Sequence, residues 1–377
     1  MSADELPGAP SSDGRDGAGH SSTTSTDHGR SAWWIYRGTG RPLHDIHLSE
    51  LLPAPPPWRA FDGGPVRPPP PDDDRDLDRR LGSVENLTAR QPDHREVDAV
   101  NAALFLRRPL LVTGKPGVGK SSLAYRIARE LRLGRVLRWP ISSRSTLREG
   151  LYEYDAIGRV QDAATARQIS GEQSDPDARR GSSIGEYLQL GPLGTALLPY
   201  EVPRVLLIDE LDKSDIDLPN DLLDVFEEGE YRIPELIRVA AREPEVDVHT
   251  SDSKEMAAIA EGHVRCRAFP MIIITSNGER EFPPAFLRRC LRFTMDEPDE
   301  NGLADMVAAH FTERSGEHAA QMIHDFMEYR QVHRELAADQ LLNAVFLATS
   351  GARATDSSWG RVLDLVWQRL SSDAAPE

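Results

Sequence analysis

The chain has 377 residues, a formal net charge of −17 and 39% hydrophobic residues, so it is long enough for two or three compact units with a sizeable core. The acidic charge disfavours non-specific binding to nucleic-acid phosphates. Two cysteines without a CxxC pair, Cys266 and Cys290, exclude a zinc ribbon and fit a reducing cytoplasm. No apolar run reaches the roughly eighteen residues of a membrane span, and the acidic start Met1–Glu5 is unlike a secretory signal, so we expect a cytoplasmic protein.

Residues 1–80 predict an N-terminal arm and linker. Residues 1–31 are rich in Ser, Gly, Thr and Asp and almost lack large apolar side chains, so we expect them to be disordered. The segment 32–52 carries the aromatic cluster WWIY at 33–36, and two interpretations stay open: packing on the chain's own globular body, or docking to a partner. Residues 53–80 are Pro-rich and then acidic, which predicts a stiff, extended spacer, with a ligand for a Pro-binding domain as the alternative.

Residues 81–297 predict an α/β domain with a five-stranded parallel sheet. The predicted strands are, in chain order, PLLVTG, RVLRWPIS, RVLLIDE, PMIIITSN and CLRFTM. Their apolar character is typical of strands that helices cover on both faces. Two polar or alternating stretches, 156–190 and 231–268, are expected to be insertions. Every segment of residues 298–377 has helical spacing, which predicts a small all-helical lid domain.

The strongest motif follows the first predicted strand and reads GKPGVGKS. It matches G-x-x-x-x-G-K-[ST], a loop whose backbone N–H groups surround phosphate oxygens at a helix N-terminus. Lys120 is expected to reach the β- and γ-phosphates, and the Ser121 hydroxyl to bind Mg²⁺. The predicted nucleotide-binding residues are Gly114, Lys115, Pro116, Gly117, Val118, Gly119, Lys120, Ser121 and Ser122, with Asp209 from a later strand.

Polar side chains end the third and fourth predicted strands. Asp209 and Glu210 follow VLLI, at the carboxyl end where open α/β sheets bind ligands. We predict that Asp209 holds Mg²⁺ with Ser121 and that Glu210 polarises a water for attack on the γ-phosphate. Asn277 ends the fourth strand and could orient that water. The pattern favours nucleotide hydrolysis over a small-molecule kinase, and no N/T-K-x-D sequence on a later strand supports a regulatory GTPase.

Two adjacent arginines, Arg288 and Arg289, lie between the fourth and fifth predicted strands. Chain order places them at the far edge of the sheet, too distant to serve the γ-phosphate of their own subunit. An arginine aimed at the phosphoryl group accelerates hydrolysis by roughly 10³- to 10⁵-fold and can act in trans within a ring. We predict that at least one arginine completes a neighbour's site; the alternative is a surface pair on a short helix.

In this order, the motifs and the helical lid resemble the AAA+ ATPases over roughly residues 85–372. Within that family, GPLGTALLPYEVPRVLLIDELDKSDIDLPNDLLDVFEEGEY is similar to the MoxR-like branch. The resemblance implies ATP and Mg²⁺ as cofactors and Asn277 as sensor 1. It also implies Arg289 as the finger arginine, with Arg288 as back-up, and Arg353 as sensor 2.

The resemblance further implies a Mg²⁺-dependent ATPase that forms a homo-oligomeric, hexameric ring. Such a protein acts as a chaperone that remodels or activates a protein client, which the sequence does not identify. Leu151–Tyr154 is a candidate loop for gripping the client, with core packing as the alternative. Two other functions stay open: a nucleic-acid motor or loader of the same fold, and an ATP-gated switch in a bacterial defence system.

Overall fold

The computed structural model describes residues 31, 33–43, 47–68, 73–86, 93–169, 183–311, 316–333, 336–350 and 358–367. Residues 34–377 form one unit by their contacts. The strands are β1 (Leu110–Thr113), β2 (Leu137–Pro140), β3 (Tyr152–Tyr154), β4 (Leu188–Leu190), β5 (Val205–Asp209), β6 (Glu230–Arg232), β7 (Glu245–His249), β8 (Met256–Ala260), β9 (His263–Arg265), β10 (Met271–Ser276) and β11 (Leu291–Thr294). The helices are α1 (Leu48–Leu51), α2 (Asp74–Leu81), α3 (His94–Leu106), α4 (Lys120–Leu131), α5 (Leu147–Leu151), α6 (Ala156–Ile169), α7 (Pro192–Ala196), α8 (Leu218–Glu228), α9 (Pro234–Ile237), α10 (Pro284–Arg289), α11 (Glu300–His310), α12 (Gly316–His333), α13 (Ala338–Thr349) and α14 (Ser358–Val366).

The main sheet is parallel, with the strand order β11-β1-β10-β5-β2. Strands β5 and β10 are buried at every position because helices cover both faces of the sheet. The register pairs Thr113 with Ser276 and Pro140 with Asp209, so the carboxyl ends of the inner strands meet at one edge. The predicted five-stranded parallel α/β sheet is confirmed.

Separate hydrophobic cores lie on the two faces of this sheet and in the C-terminal helices. Leu206 and Ile208 of β5 belong to one core and Leu207 to the other, because successive side chains of a strand point to opposite faces. A third core joins helices α11 to α14 around Phe326 and Leu341. In its described residues the C-terminal region is therefore helical, as predicted. Among the described helices, none combines the length and apolar character that crossing a membrane requires.

The two predicted insertions contribute to smaller sheets. Strands β3, β4, β7 and β8 form a four-stranded sheet, and β6 pairs with β9. The stretch 231–268 contains the antiparallel hairpin β7–β8, whose buried and exposed positions alternate. The stretch 156–190 begins with helix α6 and ends with β4, while residues 170–182 lie outside the described part. Tyr152 of the candidate gripping loop is buried, and its hydroxyl donates to Glu235 Oε2 at 2.9 Å.

The aromatic segment packs on the chain's own domain through Ile35 and Tyr36. Both side chains are buried, and both backbone N–H groups donate to Asn101 Oδ1, at 2.8 and 3.0 Å. The amide of Asn101 donates in turn to the carbonyl oxygen of Tyr36 at 2.7 Å. Glu130, in the last turn of α4, accepts from Gly40 N at 2.9 Å. We predicted disorder for residues 1–31; of these, only residue 31 belongs to the described part of the chain.

The extended spacer expected over residues 53–80 is replaced by packed structure. Arg59 is only 6% exposed, and Phe61 stacks on Phe269 with ring centroids 5.8 Å apart. Gly229 leaves room for Phe61, since a Cβ at this position of positive φ would come within 2.9 Å of its ring. Residues 74–81 form helix α2, which buries Leu77. These anchoring side chains bind the segment to the domain, which the Pro-rich composition did not predict.

Candidate functional site

The phosphate-binding motif forms the loop between β1 and α4, which begins at Lys120. Gly114, Gly117 and Gly119 have φ values of 154°, 75° and 94°, which glycine adopts readily and other residues rarely do. A Cβ at Gly119 would meet no atom within 4 Å, so the loop is open on that side. A Cβ at Gly117 would lie 2.3 Å from the Cβ of Ala337 in the helical region. The other motif residues, Lys115, Pro116, Val118, Ser121 and Ser122, occupy the same loop and the first turn of α4.

Lys120 points back into the loop that carries it. Its Nζ donates to the carbonyl oxygens of Gly114 and Lys115, both at 2.8 Å, and to Asn277 Oδ1 at 2.7 Å. Burial lowers the pKa of Lys120, while the carboxylates of Asp212, Glu210 and Asp209 act in the opposite direction. An ammonium group held by three oxygen acceptors in an open glycine loop fits a phosphate group, whose oxygens can replace them.

Asp209 lies at the end of β5 among three donors. Its Oδ1 accepts from Ser121 Oγ at 2.6 Å and from Thr275 Oγ1 at 2.9 Å, and its Oδ2 accepts from Arg138 Nη2 at 2.8 Å. Burial alone would raise the pKa of Asp209, but these hydrogen bonds outweigh it and lower the pKa, so the carboxylate stays ionised.

The pair Ser121–Asp209 offers hard oxygen ligands of the kind that Mg²⁺ prefers. Within the described ranges there is no group of three or more His, Cys, Asp or Glu residues that could hold a metal ion. A Mg²⁺ ion at this place would therefore depend on phosphate and water oxygens in addition to Ser121 and Asp209. Such a ligand set is usual for Mg²⁺ bound with a nucleotide.

Glu210 and Asn277 lie beside each other at the same edge of the sheet. Asn277 Nδ2 is 3.4 Å from Glu210 Oε1, so the Asn277 side chain bridges Lys120 and Glu210. Glu210 has a left-handed backbone, with φ of 63°, and its N–H donates to Thr275 Oγ1 at 2.8 Å. Its other carboxylate oxygen accepts from Lys213 Nζ at 2.7 Å. A carboxylate next to an amide at the mouth of a phosphate loop can hold and deprotonate a water.

Asp212 holds the backbone that carries Asn277. It was not predicted as a site residue. It is 3% exposed, and its Oδ2 accepts from the backbone N–H groups of Asn277 at 2.9 Å and Glu279 at 3.1 Å. Its Oδ1 is buried without a hydrogen-bond partner in the described structure. In the sequence, Asp212 follows the Asp209–Glu210 pair closely but belongs to no motif that marks it as a site residue. Arg138 of β2 and Thr275 of β10 were also missed, because only the pairing of their strands with β5 brings them to Asp209.

Arg288 and Arg289 lie apart from this group. They end helix α10, two residues before Leu291, whose register partner is Leu110, at the amino end of β1. The phosphate loop begins at the other end of β1, so about 13 Å of extended chain separates the two places. Arg288 is exposed, and Arg289 Nε donates to Glu227 Oε2 at 3.1 Å. The predicted sensor 2, Arg353, lies outside the described residues.

Residues 109–290 match the family model described as AAA domain (dynein-related subfamily). The match covers slightly less than half of the chain and identifies this segment as similar to an AAA domain. The match supports the AAA+ part of the resemblance and, with it, nucleotide binding as the general property of such a domain. The match does not test the MoxR-like branch, which stays a prediction.

Two further comparisons give no functional information. The structure described as "Structure of C. elegans PCH-2" is similar with 16% sequence identity and a TM-score of 0.29, and the alignment covers 62% of this chain and 49% of that chain. The chain thus spans about half the length of this protein, and a TM-score of 0.29 does not indicate a shared overall structure. No curated protein matches the chain.

Proposed function

We propose that the chain hydrolyses ATP with Mg²⁺ and that its subunits form a homo-oligomeric, hexameric ring in which each completes its neighbour's site. One observation carries the proposal. Lys120, Glu210 and Asn277 converge at one end of the main sheet, whereas Arg289 lies at the opposite end of the edge strand. A cation that cannot reach its own phosphate loop is available to the loop of an adjacent copy.

The chain's own side chains have distinct tasks in this proposal. Lys120 exchanges its three oxygen acceptors for phosphate oxygens, which also frees Asn277 Oδ1 to hold the attacking water with Glu210. Glu210 accepts a proton from that water. Asp209 and Ser121 would hold Mg²⁺, which would neutralise charge on the phosphates. Arg289 of the adjacent subunit stabilises the charge that develops on the transferred phosphoryl group.

The work that hydrolysis performs is, in this proposal, the remodelling or activation of a protein client in the cytoplasm, as in MoxR-like chaperones. The net charge of −17 supports a protein client over a nucleic acid. The four-stranded sheet β3-β4-β7-β8 is an addition to the five-stranded core, so it provides surface for contacts that nucleotide binding does not require.

A mixing experiment tests the shared site. We expect Arg289→Ala to bind ATP with unchanged affinity and to hydrolyse it at least about 100-fold more slowly. Lys120→Ala loses ATP binding but keeps its arginine. An equal mixture of the two variants should regain about a quarter of the wild-type rate, because in random rings about half of the intact pockets face an intact arginine. Arg288→Ala is the control and should stay active. Full activity of Arg289→Ala, or of a strictly monomeric wild type, would refute the proposal.

A further inference from the structure

The guanidinium of Arg289 is held in its own subunit by Glu227, in the last turn of α8. Arg289 Nε donates to Glu227 Oε2 at 3.1 Å, and Arg289 Nη1 lies 3.4 Å from the carbonyl oxygen of Ala285. Within the described part of the chain, no bond is found for Nη2. One edge of the guanidinium is therefore fixed to the subunit, and the other is available to an anion.

The same carboxylate oxygen also contacts the N-terminal arm. Arg59 Nη2 lies 3.5 Å from Glu227 Oε2, and Arg59 Nη1 donates to the carbonyl oxygen of Phe226. The Arg59 guanidinium lies 5.5 Å from the centroid of the Phe269 ring. With 6% exposure, Arg59 is far more buried than Glu227 and Arg289, which are both partly exposed.

Two arginines, Arg59 and Arg289, contact Glu227, and a third, Arg108, lies close enough to affect Arg59. Burial lowers the pKa of Arg59; Glu227 opposes this effect, while Arg108 and Arg289 add to it. Arg108 in turn donates to the carbonyl oxygens of Arg289, at 3.1 Å, and Arg288, which fixes the end of α10. One carboxylate thus sets the directions of two guanidinium groups that would otherwise repel each other.

The exposure of the Glu227–Arg289 ion pair determines whether Arg289 can leave Glu227 for a phosphate group. Arg289 is 35% exposed and Glu227 48% exposed, so water screens the ion pair and makes it weak. A triphosphate carries several charges and three acceptor oxygens per phosphate, so it competes successfully for the free edge of Arg289. Glu227 therefore orients Arg289 without withholding it.

We propose that Glu227 is the positioning residue of Arg289 and that Arg59 fixes Glu227, which makes arm residues 53–68 part of the trans-acting half of the site. The proposal rests on the proposed function, in which Arg289 serves an adjacent subunit. Pre-orientation reduces the entropy that Arg289 loses when it reaches the phosphoryl group. The proposal therefore requires an effect on kcat and none on the subunit's own nucleotide pocket.

The test measures ATP hydrolysis by full-length variants. We expect Glu227→Ala to lower kcat about fivefold, which corresponds to ~1 kcal/mol, with KM within about twofold of wild type. Glu227→Gln keeps an acceptor for Arg289 Nε and should be closer to wild type. Glu228→Ala removes a neighbouring exposed carboxylate of the same helix and should keep the wild-type kcat.

Mixing identifies the half of the site that Glu227 serves. Addition of Lys120→Ala subunits, with their intact arginine, should raise the rate per Glu227→Ala pocket, because about half of those pockets then face an unperturbed Arg289. Arg59→Ala should lower kcat less than Glu227→Ala does, and the two effects should not add in the double variant.

The outcomes separate the two proposals. A wild-type kcat for Glu227→Ala, or a lowered kcat that mixing does not restore, overturns the role of Glu227 while leaving the shared site intact. A failure of Arg289→Ala to be rescued by Lys120→Ala overturns the shared site and, with it, this inference. Additive effects of Arg59→Ala and Glu227→Ala remove the arm from the proposal.

Discussion

Substitution of Asp212 would measure how firmly the site is held together, because its carboxylate joins the segment after β5 to the segment after β10. Asp212 is 3% exposed, and its Oδ2 accepts the backbone N–H groups of Asn277 and Glu279. Replacement by Ala leaves both N–H groups without this acceptor. Replacement by Asn keeps a carbonyl oxygen in place of Oδ2 but removes the charge that strengthens both bonds.

The cost of each replacement follows from these contacts. A partly buried N–H group that loses its acceptor costs ~1 to 2 kcal/mol, so two groups cost about 3 kcal/mol. Removal of a buried carboxylate whose Oδ1 has no partner returns about 1 kcal/mol of desolvation energy. We therefore expect Asp212→Ala to lower the free energy of unfolding by about 2 kcal/mol, and Asp212→Asn by about 1 kcal/mol, since neutral hydrogen bonds remain.

Urea unfolding without nucleotide measures these free energies, and ATP binding and hydrolysis measure the site. Both variants should hydrolyse more slowly because Asn277 loses its support, yet neither should bind ATP more weakly. The reason is that Asp212 is the carboxylate that most opposes the lowering of the Lys120 pKa, so its loss makes the phosphate loop more positive. Asp224→Ala, an exposed position of α8, is the control. Equal stabilities of wild type and Asp212→Ala would refute the reasoning.

Three further predictions concern the base, the arm and the thiols. Glu210→Gln should bind ATP normally but hydrolyse it at least about 100-fold more slowly in a phosphate-release assay; a rate near wild type would remove Glu210 as the base. Asn101→Ala should expose residues 33–43 to limited proteolysis, because Ile35 and Tyr36 lose their acceptor; an uncut arm would contradict this. Burial raises the thiol pKa of Cys266 and Cys290 to about 12, so a thiol reagent at pH 8 should label them only in denaturant. Since both ionise near pH 9 when unfolded, the free energy of unfolding should decrease as the pH rises above 9.

The sequence was informative where a short stretch of residues is enough to indicate a function. The phosphate loop, the Asp209–Glu210 pair and the strand-terminal Asn277 each occupy a short stretch whose residue types indicate their chemistry. Arg138, Thr275 and Asp212 could not be predicted in the same way. Their contacts depend on the strand order, which places β2 and β10 on either side of β5, although 71 and 66 residues separate Arg138 and Thr275 from Asp209.

The packing of the N-terminal arm, residues 53–68, could not be predicted from the sequence. Its Pro-rich composition describes the unfolded preferences of residues 53–68 but not the few side chains that attach them. Arg59 and Phe61 are an ordinary cation and an ordinary aromatic residue in the sequence, and only the carbonyl oxygens at the end of α8 and the ring of Phe269 make them anchors. Composition and periodicity do not reveal contacts between residues that lie more than 160 positions apart in the sequence.

Gly117 occupies a position that the motif G-x-x-x-x-G-K-[ST] leaves unrestricted. In the structure, Ala337 leaves no space there for even a methyl group, and Ala338 N donates to the Gly117 carbonyl oxygen at 3.2 Å. The smallest possible replacement, Gly117→Ala, would therefore act as a wedge between loop and lid. We expect this substitution to separate two properties that the contact would couple: phosphate binding by the loop backbone, and the position of the helical domain against the loop.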